Sequence, residues 1–180
     1  MKTQYSDPPI AQFLFGDTRL AFLWLVVRVY LGWQWLHAGW GKIHSPLWVG
    51  DTSGQALSGF IQGALQKTGG AHPDVQGWYA FFLQNSVLPH ASVWAKIIAY
   101  GEVIVGVALI LGLFTGIAAF FGLFMNFNFL LAGAVSINPI LFVLGLFVLF
   151  AWKTAGYFGL DRYILPLLGT PWKPGKLFSS

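Results

Sequence analysis

There is no cysteine among the 180 residues, and only 9% of them are charged. The first absence excludes a disulfide, a thiol relay, a thiolate-held iron–sulfur cluster and a covalently attached c-type haem. Any redox chemistry must therefore use another carrier. The second excludes an ordinary soluble domain, which carries roughly 25% charged residues. The chain is instead 56% hydrophobic and 18% aromatic, the balance of an integral membrane protein. Its formal charge of +4 comes from basic residues spread along the chain without a cluster, so nucleic acid is set aside as a partner and the bilayer takes its place. No GxGxxG or P-loop sequence occurs, and no serine, histidine and carboxylate set points to a hydrolase.

What is present is a series of long apolar segments. The first, from about residue 20 to 38, follows a mixed arm in which Asp17 or Thr18 can cap the helix. Arg28 interrupts it, and a long mixed segment precedes it, so it is expected to be a retained span and not a signal peptide. Three more spans are expected at about 93–112, 115–135 and 139–158, each near the ~20 residues that cross the hydrocarbon core. Ser92 is the expected cap of the second and Gly112 its stop. Thr115 is the expected cap of the third, which makes a tight hairpin, and Asn138-Pro139 opens the fourth. The expected fold is an all-α integral membrane protein, one domain built as a four-transmembrane-helix bundle.

The only long connection, residues 39–92, has helical periodicity of its own. Leu57, Phe60, Ile61, Ala64 and Leu65 form one apolar stripe and Val75, Trp78, Tyr79, Phe82 and Leu83 another. Two amphipathic interfacial helices between the first and second spans are expected, either covering the mouth of the bundle or only anchoring it. With both termini cytoplasmic, that side holds Lys2, Arg19, Lys153, Arg162, Lys173 and Lys176 against Lys42, Lys67 and Lys96 on the other. Six against three favours this orientation. The tail, 159–180, is expected to be an irregular cytoplasmic segment that Trp172 pins to the interface.

The informative residues are polar ones in apolar surroundings. An arginine at mid-bilayer costs about 3 kcal/mol even on lenient insertion scales, so Arg28 needs a partner. Counting depth from the expected span ends, at ~1.5 Å per residue, puts Glu102 near the same level from the opposite side. Asn126 and Asn128 reach a similar depth but point to different helix faces, so one of the two is expected inside. The expectation is a cluster of Arg28, Glu102 and an asparagine. It serves either as interhelical glue or as a site where Arg28 orients an anion or a quinone carbonyl and Glu102 passes protons. His37 and Lys42 are placed at its outer approach. No haem or metal is expected, because His37 has no histidine on a facing span at its depth.

The segment RVYLGWQWLHAGWGKI, Arg28 to Ile43, resembles the first-helix signature of the DoxX/DoxD family: an arginine, a glycine, then Ala38-Gly39 followed by Lys42. Gly101 to Gly122 resembles that family's second hairpin, with its early glutamate and its turn of Leu111, Gly112, Leu113 and Thr115. The long connection is closer to the DoxD branch. The resemblance implies a four-helix membrane subunit of a thiosulfate:quinone oxidoreductase in a bacterial or archaeal cytoplasmic membrane, oxidising thiosulfate to tetrathionate and passing electrons to a quinone. It also implies a second subunit or larger redox complex and a small anionic substrate, with Arg28, Lys42 and Glu102 as the matching positions. A non-catalytic subunit that assembles a larger complex is the alternative from another class, and a small transporter or channel is a third.

Overall fold

The computed structural model describes residues 7–169. The expectations placed on Lys2, Trp172, Lys173 and Lys176 lie outside the described residues. Among those described, every regular element is helical. The principal elements are α1 (Ala21–Ile43), α2 (Gln55–Leu65), α3 (Gly77–Phe82), α4 (Ala91–Leu111), α5 (Thr115–Leu131), α6 (Asn138–Phe150), α7 (Trp152–Ala155) and α8 (Asp161–Ile164).

The chain enters through a helical segment, Pro9–Gly16, which meets Thr18–Ile43 at 47°. Asp17 breaks the two apart because its backbone is extended, and its carboxylate accepts from the Arg19 amide. The Arg19 side chain hydrogen-bonds the same carboxylate and holds the Asp17 carboxyl below its usual range. The arm does not stand free of the bundle. Trp24 donates its indole N–H to the Leu14 carbonyl at 2.8 Å, and the Thr154 hydroxyl donates to the Phe15 carbonyl at 2.9 Å.

α1 and α4 are the closest pair, and glycines are the reason. A methyl group on Gly39 would lie 2.7 Å from the Val103 nitrogen, and one on Gly32 would lie 2.9 Å from the Gly106 carbonyl oxygen. Gly106 meets the Leu36 backbone in the same way. Small residues at this spacing let two helix backbones touch, which is how apolar helices gain packing energy without a hydrophobic drive.

α4 does not begin at Ser92. The helical path runs continuously from Gly77 through a π turn, Leu83–Val87, and a 3-10 turn, Leu88–His90, to Leu111. Pro89 sits at the start of that 3-10 turn, where its missing N–H breaks no hydrogen bond. Ser92 instead donates its hydroxyl to Ser53 at 2.9 Å. The second expected amphipathic helix is therefore α3, joined to α4 without a break, while the first is α2. They meet through Leu57, Ile61, Ala64, Val75 and Tyr79, all buried, with Ala95 and Ala132 beneath. The Lys67 ammonium ties this connection to the α5–α6 loop by donating to the Gly133 carbonyl at 2.8 Å. α6 stops at Phe150, short of the expected 158, and α7 follows after Ala151.

The distribution of side chains is inverted relative to a water-soluble bundle. Arg28, Glu102, Thr115, Asn126, Thr154 and Asp161 are buried, whereas Phe22, Val26, Ile104, Phe120, Phe124, Ile140 and Val143 face outward. A surface of large apolar side chains around an apolar core that also holds these few polar groups suits a hydrocarbon solvent. By length and composition Gly77–Leu111 can cross a membrane, and the bent pair Pro9–Gly16 and Thr18–Ile43 qualifies as a second span if taken together. α5 and α6 are shorter apolar helices.

Candidate functional site

The buried charges fall into two groups at opposite ends of the bundle, which we call the hairpin end, at the α4–α5 turn, and the connection end, beneath α2 and α3. Arg28 belongs to the first. It is 0% exposed and, among the described residues, makes no ion-pair contact. Its Nη1 donates to the carbonyls of Leu109 at 2.6 Å and Ile110 at 3.3 Å, and its Nη2 to that of Phe158 at 3.1 Å. The guanidinium thus satisfies the free carbonyls of the last turn of α4, where the helix dipole is negative.

Asp161 does the converse. Its carboxylate accepts from the amides of Phe114 at 2.5 Å and Thr115 at 2.8 Å, the positive start of α5. The cap expected from Thr115 thus comes from a residue 46 positions later. Two further bonds close the turn, from the Leu160 amide to Leu111 at 3.1 Å and from the Asp161 amide to Gly112 at 2.8 Å. Gly112 is required twice here. Its φ of +66° ends α4 in the left-handed region, and its Cα faces that of Gly159 with no room for a methyl group.

The expected contact between Arg28 and Glu102 is therefore not made. Antiparallel packing sets Gly39 against Glu102 and Val103, and Arg28 against Gly112. Arg28 and Gly39 lie eleven residues apart on one helix, so the two charges differ in height by roughly 16 Å. Counting depth from the two expected span ends treated those ends as a common reference, but the glycine contacts fix a different register.

Glu102 belongs to the connection end, where it is 1% exposed and its Oε2 accepts from Lys42 Nζ at 2.5 Å. Lys42 stands in the last turn of α1, and its side chain is 20% exposed. Its ammonium also lies 5.1 Å from the Trp48 ring centre, a cation–π contact that keeps the charge at the boundary of the bundle. Lys42 thus joins a buried carboxylate to the outside.

Asn126 is buried between α5 and α6. Its Nδ2 donates to Asn138 Oδ1 at 3.1 Å, and its own Oδ1 has no partner among the described residues. Gly122, one turn before Asn126, packs against Trp35, and Gly39 lies one turn after Trp35. Asn126 is therefore level with Gly39 and hence with Glu102. Asn128 turns to another face, as the spacing predicted, and accepts the Tyr79 hydroxyl at its carbonyl (3.0 Å) and its Oδ1 (3.1 Å). His37 is not brought in: it is exposed and stacks on Trp33 at 6.0 Å.

Of the expected site residues, the fold thus gathers Lys42, Glu102 and Asn126 at one level, sends Arg28 to the opposite end and leaves His37 outside. Sequence reasoning missed Asp161, Trp48, Tyr79 and Asn138. A signal for Asp161 was present, since it is one of only six acidic residues and follows Gly156 and Gly159. Among the described residues no group of three or more metal-ligating histidines or carboxylates forms. The arrangement can bind, exchange or relay a proton between a carboxylate and a boundary cation, and it can orient a small polar group at Asn126.

The sequence matches the family model described as DoxX over residues 23–135, more than half of the chain. No curated protein and no solved structure matches it.

Proposed function

This chain belongs to the DoxX family of membrane proteins, and from that premise we propose that it is the membrane subunit of a quinone-linked oxidoreductase. The observation that carries the reading is the buried Lys42–Glu102 pair. A carboxylate almost without exposure, paired at 2.5 Å to a lysine that reaches the boundary, is poor value as mere packing, because desolvating two charges offsets most of their attraction. Ionisable groups set in a membrane interior mark substrate or proton pathways.

In this reading the helical unit spans the bilayer four times with both termini cytoplasmic, and the DoxD-type reaction, thiosulfate to tetrathionate, is its donor half. Quinone reduction takes up two electrons and two protons. Lys42 can follow an arriving anion away from Glu102, leaving a buried carboxylate that accepts a proton and passes it on. Asn126 Oδ1, unpartnered and level with Glu102, supplies an acceptor beside that path. Arg28 has no part in the chemistry, because backbone carbonyls occupy it.

Purified protein in lipid is tested by thiosulfate-dependent reduction of a soluble quinone analogue. Glu102→Gln and Lys42→Met should each abolish turnover in protein that remains folded. Unchanged turnover in both removes the site, and absence of turnover in wild-type protein that co-purifies with further subunits replaces the reading with a non-catalytic assembly role.

A further inference from the structure

A second feature lies on the face of α4 adjoining that of Glu102. An apolar groove of about 600 Å³ runs between α4 and α5, from beneath α2 and α3 to the α4–α5 turn. Along α4 it extends from Trp94 to Ala108, roughly 21 Å of helix. That length suits an extended hydrocarbon chain laid along the helix. The volume falls within the ~300–1,000 Å³ of ordinary ligand pockets.

The groove is polar at one end alone. Its hydrogen-bonding side chains there are Tyr79 and Asn128, at the connection end, and the Trp94 indole N–H is already donated to the Ser86 carbonyl. Tyr79 is buried, and its hydroxyl shares one proton between two acceptors on Asn128. Among the described residues its oxygen accepts no hydrogen bond in return. The phenolic oxygen accepts from a hydroxyl as it stands, and donates to a carbonyl by turning its one proton away from Asn128. It therefore suits a head group that alternates between the two. Phe82, Phe124 and Phe129 stand around this end and offer faces to a flat ring. Gly101 lines the same wall, one residue from Glu102.

The geometry points to this groove as the binding site of the isoprenoid quinone, its ring held at Tyr79 and Asn128 and its single prenyl chain lying along α4 toward Ala108. The inference rests on the proposed quinone-linked activity and adds the place and pose of the acceptor. No charged side chain lines the groove, so nothing there pairs with the charged head of a phospholipid.

The test measures binding, not turnover. Wild-type protein and Ala108→Trp are titrated in one detergent with ubiquinone analogues, tail-less and then with successively longer prenyl tails, following quenching of tryptophan fluorescence. In wild-type protein affinity should rise on the order of tenfold as the first units enter the groove. Ala108→Trp, which fills the far half, should lose that gain while melting like wild type. Tyr79→Phe should weaken the tail-less analogue several-fold and leave the tail's increment intact. The inference is overturned if tail length has the same effect in wild type and Ala108→Trp, or if single phospholipids displace the quinone at equal concentration. Tail-dependent binding without thiosulfate-driven reduction would instead defeat the proposed reaction and leave the groove assigned. Turnover with no tail dependence of binding would do the reverse.

Discussion

The hairpin end and the connection end both bury charge, yet they satisfy it differently. At the hairpin end Arg28 is held by three carbonyls and Asp161 by two amides. Those partners are backbone, fixed in place by the helices they terminate, so neither charge can leave without undoing the turn. At the connection end Lys42 and Glu102, among the described residues, hold each other alone, with a tryptophan ring alongside and an asparagine oxygen left without a partner at the same level. A side-chain partner can rotate away or be replaced by a ligand. Charge bonded to backbone therefore holds the fold, and charge bonded to a side chain is free for exchange.

That contrast is tested most severely at Asp161. Asp161→Ala leaves two buried amides without acceptors, and the expected loss is about 2–5 kcal/mol, seen as a large fall in melting temperature or as failure to accumulate in the membrane. Asp161→Asn with normal stability would break the comparison. Arg28→Lys should also destabilise strongly, because a point charge cannot serve three carbonyls in the plane of a guanidinium.

Next in size comes Gly39→Ala. The added methyl would press on the Val103 nitrogen, and an overpacked contact of this kind costs about 1–3 kcal/mol. Because Gly39 sits beside Glu102, turnover should fall further than stability alone explains, whereas Gly32→Ala should lose stability with activity in proportion to folded protein. Equal behaviour of the two variants would show that the register of α1 and α4 does not matter to the site.

The Lys42–Glu102 pair should respond in the opposite sense to Asp161. Lys42→Met and Glu102→Gln each destabilise by leaving one buried group alone, but the double variant should recover most of that stability, since removing both members of a buried pair is often neutral. Activity should stay lost. Recovery of activity in the double variant would reduce the pair to packing.

The smallest effect belongs to Asp17, partly exposed at the entrance to α1 and held below the usual carboxylate range by its hydrogen bonds with Arg19. Because its folded-state value is depressed, its contribution is present above the unfolded carboxylate range and is lost as pH falls through the folded value. Asp17→Asn should melt slightly below wild type at neutral pH and converge with it in acid. A gap that persists in acid would assign the effect to helix capping by the side chain and not to its charge.

Much of the fold was legible because it is local. Gly112 ends α4 and Pro139 stands in the first turn of α6 as their residue types require, although Asn138 caps no amide there, and the stripe of Leu57, Ile61 and Ala64 is buried. Where the reading failed, the deciding contact was distant. Ser92 looked like a cap, but nothing in its own neighbourhood reveals that Val75 and Tyr79 dock on α2 and keep the helix running through Pro89. Thr115 looked like another, but Asp161 reaches the amides first.

By itself the sequence determined an all-helical membrane chain, the family to which Arg28 to Gly122 points, and the short roll of polar residues that an apolar environment cannot leave unexplained. Periodicity fixes which face of a helix a residue occupies. It does not fix the height of that residue against a neighbouring helix. That height was decided by Gly32, Gly39 and Gly106, where two backbones touch, and it separated Arg28 from Glu102, gave the carboxylate to Lys42 and turned the arginine into a clasp on the α4–α5 hairpin.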